Sequence, residues 1–422
     1  MLEIQDSYDC VVMGGGPAGS TTAALVAESG ASTLLVEREA MPRFHVGESL
    51  MPETYWVFER LGVLDKMKQS NFVKKVSVQF VGHQGKESQP FYFDQHDPRE
   101  CSSTWQVERA EFDHMLFENA REKGADCVDA TRVHDVIMDG ACVTGVRLQE
   151  ASGMVRDIAA RVVVDATGQH ALLANRFGIK VDNPELKKAA IWGYYKNARR
   201  DEGKNGGATV ILQTNMKKSW FWFIPLQDGI TSIGVVGDNE YLLKGRGSPE
   251  EIFHQELSIC PAMLGRLEKS QLVSEFRITK EFSYATTKHA GDGWVLTGDA
   301  WGFIDPIYSS GVFFALRSGE LAADAIVEGL QNNDTSGEQL GKWVTDFVFG
   351  TQWIRKLVDA YYTEEFSFGR FLKNHPQYVE NLTDLLIGRI FYPGAGDIFK
   401  DMEPALARDR SGKSADSSSL KV

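Results

Sequence analysis

Cysteine is scarce in this chain. There are five, Cys10, Cys101, Cys127, Cys142 and Cys260, among 422 residues, and no two stand at a metal-ligating spacing. Scattered thiols of this kind read as reduced groups in a cytoplasmic protein, not as a disulfide framework, and no metal is expected. A surplus of positive charge is missing too: Lys and Arg number 45 against 58 Asp and Glu, a net charge of −13, which argues against general nucleic-acid binding. No apolar run reaches the ~18 residues of a membrane span. The first strand-like segment starts by Tyr8 and leaves no room for a signal peptide. There is no internal repeat. What remains is an ordinary globular composition, 43% hydrophobic and 24% charged, in a chain long enough for two or three subdomains.

The stretch Tyr8 to Glu37 organises the rest. Tyr8-Asp9-Cys10-Val11-Val12-Met13 suits a buried strand, and Gly14, Gly16 and Gly19 follow with G-x-G-x-x-G spacing. A helix is predicted from Pro17 to about Ser29, then a second strand, Thr33 to Val36, ending in Glu37. Gly14 permits the tight turn, Gly16 lets a pyrophosphate approach the backbone, and Gly19 lets helix and strand pack closely. The helix start, including Ala18, offers N–H groups and positive dipole to phosphates. Glu37 falls close to the expected ~20 residues on and can accept hydrogen bonds from a ribose. The combination predicts a dinucleotide site.

Further candidates lie along the chain. Met41 to Leu50 is a polar loop near the mouth of that site, where Arg43 is placed to meet phosphate or to be simply solvated, and Ser49 is placed to touch cofactor. Residues 53–69 read as an amphipathic helix, and the alternation from Lys74 to Phe80 reads as one strand. Arg109 opens a helix running to about Lys123 and is a second phosphate candidate, or a surface arginine. Val133 to Leu148 reads as a hairpin around Asp139-Gly140. Arg161 to Asp165, with Gly168 beyond, reads as a central parallel strand returning to the site. Gly293 to Leu296 is another buried strand, ending in Gly298-Asp299, where Asp299 could hold a ribityl hydroxyl. Ser310 and Gly311 bring backbone N–H groups to the start of a helix from Val312 to about Leu330, an anion site in principle. Between them, Ile191–Tyr195, Ala208–Thr214, Trp220–Ile224 and Thr231–Val236 read as strands of an antiparallel sheet. Residues 337–391 are helical and aromatic-rich, and some of these rings could wall an aromatic pocket.

Two dinucleotide-type strand ends around one G-x-G-x-x-G point to FAD, and residues 5–330 resemble the flavoprotein monooxygenases of the hydroxybenzoate-hydroxylase type. Three motifs narrow the resemblance. Trp220-Phe221-Trp222-Phe223-Ile224-Pro225 matches the W-x-W-x-I-P motif of flavin-dependent halogenases, Phe303 to Gly311 is similar to their F-x-x-P-x-x-S-x-G motif, and Phe72-x-x-Lys75-x-x-x-x-Phe80 is similar to the segment that carries their active-site lysine. The similarity is to the phenol and pyrrole halogenases.

That resemblance implies a chemistry and a set of partners. Reduced FAD (FADH2) and O2 would give a C4a-hydroperoxide, and chloride or bromide would take its distal oxygen to form hypohalous acid. Lys75 would meet that oxidant and pass it to a phenol or pyrrole, free or tethered to an acyl or peptidyl carrier protein. Ser310 and Gly311 would hold the halide, Pro306 and Gly311 would contact the flavin, and Asp165 and Gly168 would border the cofactor. Trp220, Trp222 and Pro225 would keep substrate off the flavin. A separate NAD(P)H-dependent flavin reductase would supply FADH2. Lys74 is adjacent, and the five-residue step to Phe80 favours Lys75.

The expected fold is α/β. A Rossmann-type FAD domain would comprise residues 1–185 and 286–330, an antiparallel-sheet substrate domain 186–285, a helical region 331–407, and a disordered tail 408–422. The alternatives are an FAD-dependent aromatic hydroxylase and a prenyl-lipid reductase of the geranylgeranyl reductase type. A non-enzymatic flavin-binding sensor has less support.

Overall fold

The structure, a computed structural model, describes residues 4–150, 152–215, 218–280 and 282–416, with side chains as far as position 409. Five strands of its first sheet run Trp294–Leu296, Val155–Asp165, Ser7–Met13, Thr33–Val36, Asp126–Val128 in spatial order, all parallel, with the short Ala290–Gly291 antiparallel outside the first. The register pairs Met13 with both Val36 and Asp165, and Asp165 with Leu296, so these strands end together at one edge. That carboxyl edge is where open α/β sheets bind ligands. The strands are continuous apolar runs because both faces are covered: Cys10, Val11, Val12, Leu34, Leu35, Val162, Val163 and Val164 are fully buried. The ribbon Arg132–Asp139 and Cys142–Gln149 extends the sheet through the first half of Val155–Asp165.

Helix Pro17–Glu28 follows the first strand, and helix Gly311–Asn332 packs on it. The two approach closely because small residues face each other. A Cβ on Gly319 would lie 2.6 Å from the Ala18 carbonyl oxygen, and the Thr22 hydroxyl donates to the Gly319 carbonyl at 3.0 Å.

The second sheet carries the four strands expected in the middle of the chain, as Lys188–Lys196, Thr209–Gln213, Ser219–Pro225 and Ile230–Asp238. Period-two alternation sorts its two faces. Phe221 and Phe223 point to a separate core with Phe253 and Met263 of helices Pro249–Ser258 and Pro261–Leu267. Trp220, Trp222 and Ile224 point the other way, into the main core shared with the first sheet.

The structure differs from expectation at three places. The run from Lys74 to Phe80 is two strands. Val73–Lys75 pairs antiparallel with Thr104–Gln106, and Ser77–Val81 pairs parallel with Thr209–Gln213. The break comes where the turn Gly203–Gly207 packs against the chain, so tightly that a Cβ on Gly207 would lie 1.9 Å from the Lys74 carbonyl oxygen. The second sheet therefore contains one parallel pair and draws strands from outside 186–285. The helix expected over 53–69 is two, Thr54–Leu61 and Leu64–Gln69, because Gly62 adopts a left-handed conformation with φ 72°. Helix Phe399–Asp416 runs through the first part of the stretch expected to be disordered. A scarcity of apolar residues does not prevent local helical hydrogen bonding. Positions 417–422 lie outside the described residues. Among the described residues no helix is long and apolar enough to cross a membrane.

Candidate functional site

At the carboxyl edge of the first sheet lies an elongated cleft. Gly14, Gly16, Pro17 and Ala18 line it at the start of the first helix, Glu37 at the end of the second strand, and Gly168 and Asp299 at the ends of the others. The glycines differ in what they do. Gly14 has φ 108°, and its Cβ would meet the Ala166 carbonyl oxygen at 2.3 Å. A Cβ on Gly19 would lie 1.9 Å from the Gly14 carbonyl oxygen. A Cβ on Gly16 would meet only the Arg43 guanidinium, at 3.4 Å, and would otherwise project into the cleft. A cradle kept open at Gly16, with a helix N-terminus behind it and a buried acid at the strand end, fits a dinucleotide. The Glu37 carboxylate accepts from the N–H groups of Gly15, at 2.9 Å, and Glu39, at 3.0 Å, so the fingerprint turn itself orients this acid.

Arg43 and Arg109 both reach the cleft and share one carboxylate. Arg109 donates to Asp113 through Nε and a terminal nitrogen at 2.8 and 2.9 Å, and Arg43 donates to the same acid at 2.8 Å. Arg43 also lies 3.4 Å from Glu37. Burial pushes the Asp113 carboxyl up, but the two guanidiniums outweigh it and hold it below its ordinary value. His45, on the cleft wall, is pushed down to about 3 by burial and by Arg109, so it is neutral at pH 7. Burial raises Asp299 to about 6 against the pull of Arg109 and Gln169.

A small second cavity adjoins one end of the cleft. His45, Gly47, Asp299, Phe303, Gly311 and Val312 line both spaces. Its remaining wall includes Glu48, Ser49, Thr209, Trp192, Trp220, Trp222, Pro306 and Ser309. Glu48 is buried, accepts from the Tyr194 hydroxyl, and is raised to about 7 by burial against hydrogen bonds from Tyr194 and Ser232. Lys75 sits directly behind this wall. Its side chain is buried, and Nζ donates to Ser49 Oγ at 2.8 Å and to the Leu50 carbonyl at 2.9 Å. Burial alone lowers it to about 7. Lys74 is exposed, with Nζ 3.8 Å from the centre of the Trp105 ring.

Beyond Trp220 and Ile211, which line both, opens a cavity of about 590 Å³. Phe80, Phe91, Tyr308, Tyr361, Tyr362, Phe366, Phe368, Leu382 and Leu386 form its largely apolar wall, and exposed Lys218 also lines it. This space draws on the C-terminal aromatic helices. Tyr362 connects its wall to the interior. Its hydroxyl accepts from Trp220 Nε1 at 2.9 Å and donates to Asp305 at 3.1 Å. Lys188 Nζ lies 3.8 Å from the centre of its ring and pairs with Asp238 at 2.6 Å.

Not every candidate meets these spaces. Asp165 is fully buried beside the cleft but is occupied locally, accepting from the Thr167 hydroxyl and the Thr167 and Leu173 N–H groups. It caps the turn that Ala166, Thr167 and Gly168 present to the cleft. Pro225 ends its strand away from the small cavity, where Ile224 stands instead. Ser310 is buried between Ser309 and Gly311, the two residues that line the cavity. Sequence reading missed Asp113 and Glu48, and it gave no individual role to Asp305, inside the Phe303 to Gly311 motif, or to Tyr362, one of the rings expected to wall a pocket. The Gly47-Glu48-Ser49 turn was the one local signal for Glu48, and the roles of the other three become visible only through distant partners. All five cysteines are free, and among the described residues no cluster of three or more His, Cys, Asp or Glu could hold a metal.

Comparison with known proteins agrees with this geometry. The FAD binding domain family matches residues 7–328. The chain is similar to a 1H-pyrrole-2-carbonyl-[peptidyl-carrier protein] chlorinase of Pseudomonas fluorescens, 30% identical over 95% of this chain and 93% of that protein. A 1H-pyrrole-2-carbonyl-[peptidyl-carrier protein] brominase of Pseudoalteromonas luteoviolacea is 32% identical over 82% of each. Among solved structures, the flavin-dependent brominase Bmp2 superposes with TM-score 0.86 at 29% identity, over 95% of this chain and 99% of that one. With the fingerprint, the tryptophan wall and the buried lysine all in place, the chain belongs to the FAD binding domain family and, within it, to the flavin-dependent halogenases.

Proposed function

We propose that the protein halogenates an electron-rich aromatic ring, a pyrrolyl group carried on a peptidyl carrier protein being its substrate. Reduced FAD, O2 and chloride or bromide would be consumed, and a separate NAD(P)H-dependent flavin reductase would supply the reduced flavin. One observation carries the reading: the cofactor cleft and the aromatic cavity do not merge but meet across a small cavity, with Trp220 as the shared wall and Lys75 behind it. A hydroxylase needs its substrate over the flavin, and this wall opposes that. The carrier-bound substrate is supported by similarity over most of the chain to a chlorinase and a brominase of a carrier-bound pyrrole, and by an apolar cavity with an exposed lysine at its edge, suited to an acidic partner. Free, unpaired thiols fit a reducing cytoplasm.

Gly14, Gly16, Ala18 and Gly19 would set the pyrophosphate against the first helix, Glu37 the ribose, Arg43 and Arg109 the phosphates, and Gly168 and Asp299 the ribityl side. FAD supplies the oxygen chemistry that converts halide to hypohalous acid. Ser310 and Gly311 place backbone N–H groups for the halide, next to Pro306. Trp220 and Trp222 exclude the organic substrate from the cofactor while leaving room for a small oxidant. Lys75, near pH 7, is available both as an amine and as an ammonium. It can take up the halogen as a haloamine, releasing water, or hydrogen-bond hypohalous acid and sharpen its electrophilic halogen.

The test is product mass. Protein, FAD, a flavin reductase, NADH, O2 and bromide or chloride are mixed with pyrrolyl-carrier protein and with free phenols and pyrroles. A halogen isotope pattern on the tethered pyrrole that disappears in Lys75→Ala is the expected result. Loss in Lys74→Ala alone would move the role one residue. A gain of one oxygen would make the protein a hydroxylase.

A further inference from the structure

Lys75 presents a problem that the cavities alone do not solve. Its amine must exchange with the small cavity, yet the side chain is buried and the residue is not part of the cavity wall. Among the described residues it makes no ion pair, so no carboxylate touches it to take or return its proton directly. What it touches is Ser49 Oγ, and Ser49 lines the cavity. Ser49 Oγ is in turn 2.8 Å from Thr209 Oγ1, which also lines the cavity, and Gln106 Nε2 donates to Thr209 Oγ1 at 2.8 Å. The Leu50 carbonyl fixes Nζ from behind at 2.9 Å.

We propose that Ser49 is the positioning residue for Lys75, and that the Ser49–Thr209 hydroxyl pair carries protons between its amine and the small cavity. The chemistry suits two hydroxyls and would not suit a carboxylate. With Lys75 as ammonium, Nζ donates to Ser49 Oγ, and Ser49 passes its own proton to Thr209 and the cavity. With Lys75 as neutral amine, the string reverses and Ser49 donates to Nζ. One proton enters or leaves at the cavity for each one gained or lost at Nζ, and no heavy atom has to move. A carboxylate in that place would hold the lysine permanently charged. A hydroxyl leaves it adjustable while fixing its direction. The inference rests on the proposed role of Lys75, and it takes Ser49 out of cofactor binding.

The experiment compares Ser49→Ala, Ser49→Thr and Thr209→Val in the full FAD-loaded chain. The halogenation assay above gives product per O2 consumed, and a hypohalite trap in the same assay measures oxidant that escapes. Separately, without turnover, an NMR titration of isotope-labelled Lys75 Cε gives its ionisation midpoint. In Ser49→Ala the expected outcome is a loss of product of about tenfold or more, a rise in trapped hypohalite and a lower Lys75 midpoint, because an acceptor for the ammonium is gone. Ser49→Thr restores all three, and Thr209→Val shifts the midpoint in the same direction but less. Unchanged product, trapping and midpoint in Ser49→Ala would overturn the inference. So would equal damage in Ser49→Ala and Ser49→Thr accompanied by FAD release, which would return Ser49 to the cofactor. If Lys75→Ala still halogenates, the lysine's proposed role fails, while the midpoint in Ser49→Ala still reports on the contact itself.

Discussion

The Trp220 indole N–H donates to the Tyr362 hydroxyl at 2.9 Å, across the seam between the second sheet and the C-terminal helices. The same hydroxyl donates to Asp305 at 3.1 Å, in the loop before helix Gly311–Asn332. A wall residue, a cavity residue and a buried acid from three separate parts of the chain therefore form one string. A buried indole needs a partner for its N–H, and here the partner also fixes the ring's orientation. The barrier between the two cavities is held from both sides.

Bulk and hydrogen bond can be separated at Trp220. Trp220→Phe keeps a ring in the wall and loses only the N–H, at a cost of about 1 kcal/mol in stability, and halogenation should persist. Trp220→Ala opens the small cavity to the aromatic one, costs about 3–5 kcal/mol, and should lower product per O2 consumed. Urea denaturation and paired product and oxygen measurements check both. If Phe proves as damaging to coupling as Ala, the wall works through the Tyr362 contact and not through its bulk.

The fingerprint glycines should fail in different ways. Gly19→Ala forces a methyl to 1.9 Å from a backbone oxygen, and neither backbone can yield, so the apoprotein should lose about 3 kcal/mol or more. Gly16→Ala meets only the end of the Arg43 side chain at 3.4 Å. Its apoprotein stability should stay within about 0.5 kcal/mol of wild type, while FAD affinity falls because the methyl occupies the cofactor's space. Apoprotein melting and flavin fluorescence titration distinguish the two. Equal melting losses would show that Gly16 also serves the fold.

Much of this was legible in the sequence where a local pattern carried it. The runs Cys10–Met13, Thr33–Val36 and Val162–Asp165 announce buried parallel strands, and the alternation through Trp220–Ile224 separates the two faces of its strand. Two of the failures are non-local. Nothing in Val73–Val81 reveals that one half pairs with Thr104–Gln106 and the other with Thr209–Gln213, because period-two alternation reads the same across the break. Asp113 looks like a surface residue on an amphipathic helix until Arg43, 70 positions away, is seen to bind it. Asp165 misled in the opposite sense. An acid at a strand end suggests ligand contact, but three hydrogen bonds from the next turn use it up.

Asp305 should make stability depend on pH. Burial raises its carboxyl to about 7, against hydrogen bonds from the Ile307 N–H and Tyr362. Between the unfolded value near ~3.9 and about 7, the folded chain holds the extra proton, so this contribution is full at low pH and lost as pH rises through that window. The slope is at most about 1.4 kcal/mol per pH unit. Asp305→Asn cannot ionise. Wild type should therefore lose stability relative to Asp305→Asn as pH rises from about 4 to about 7. Glu48 is raised to about 7 as well, but it is present in both proteins and cancels in the difference. A difference independent of pH would mean that Asp305 ionises normally in the fold.

Lys75 should show the opposite slope, in a different window. Burial lowers it from 10.5 to about 7, so between those values the unfolded chain binds the extra proton and folding is favoured as pH rises. Lys75→Met removes the titration. The stability of wild type relative to Lys75→Met should increase from about pH 7 to about pH 10, with a slope of at most about 1.4 kcal/mol per unit. Burial also lowers Lys74 on the same strand, opposed by Glu100, but Lys74 is far more exposed, so Lys74→Met should depart from wild type with the same sign and by less. Chemical denaturation of the three proteins across that range needs no substrate and no flavin. If Lys74→Met diverges from wild type and Lys75→Met does not, the buried lysine is Lys74, and the hydroxyl pair at Ser49 and Thr209 has nothing to serve.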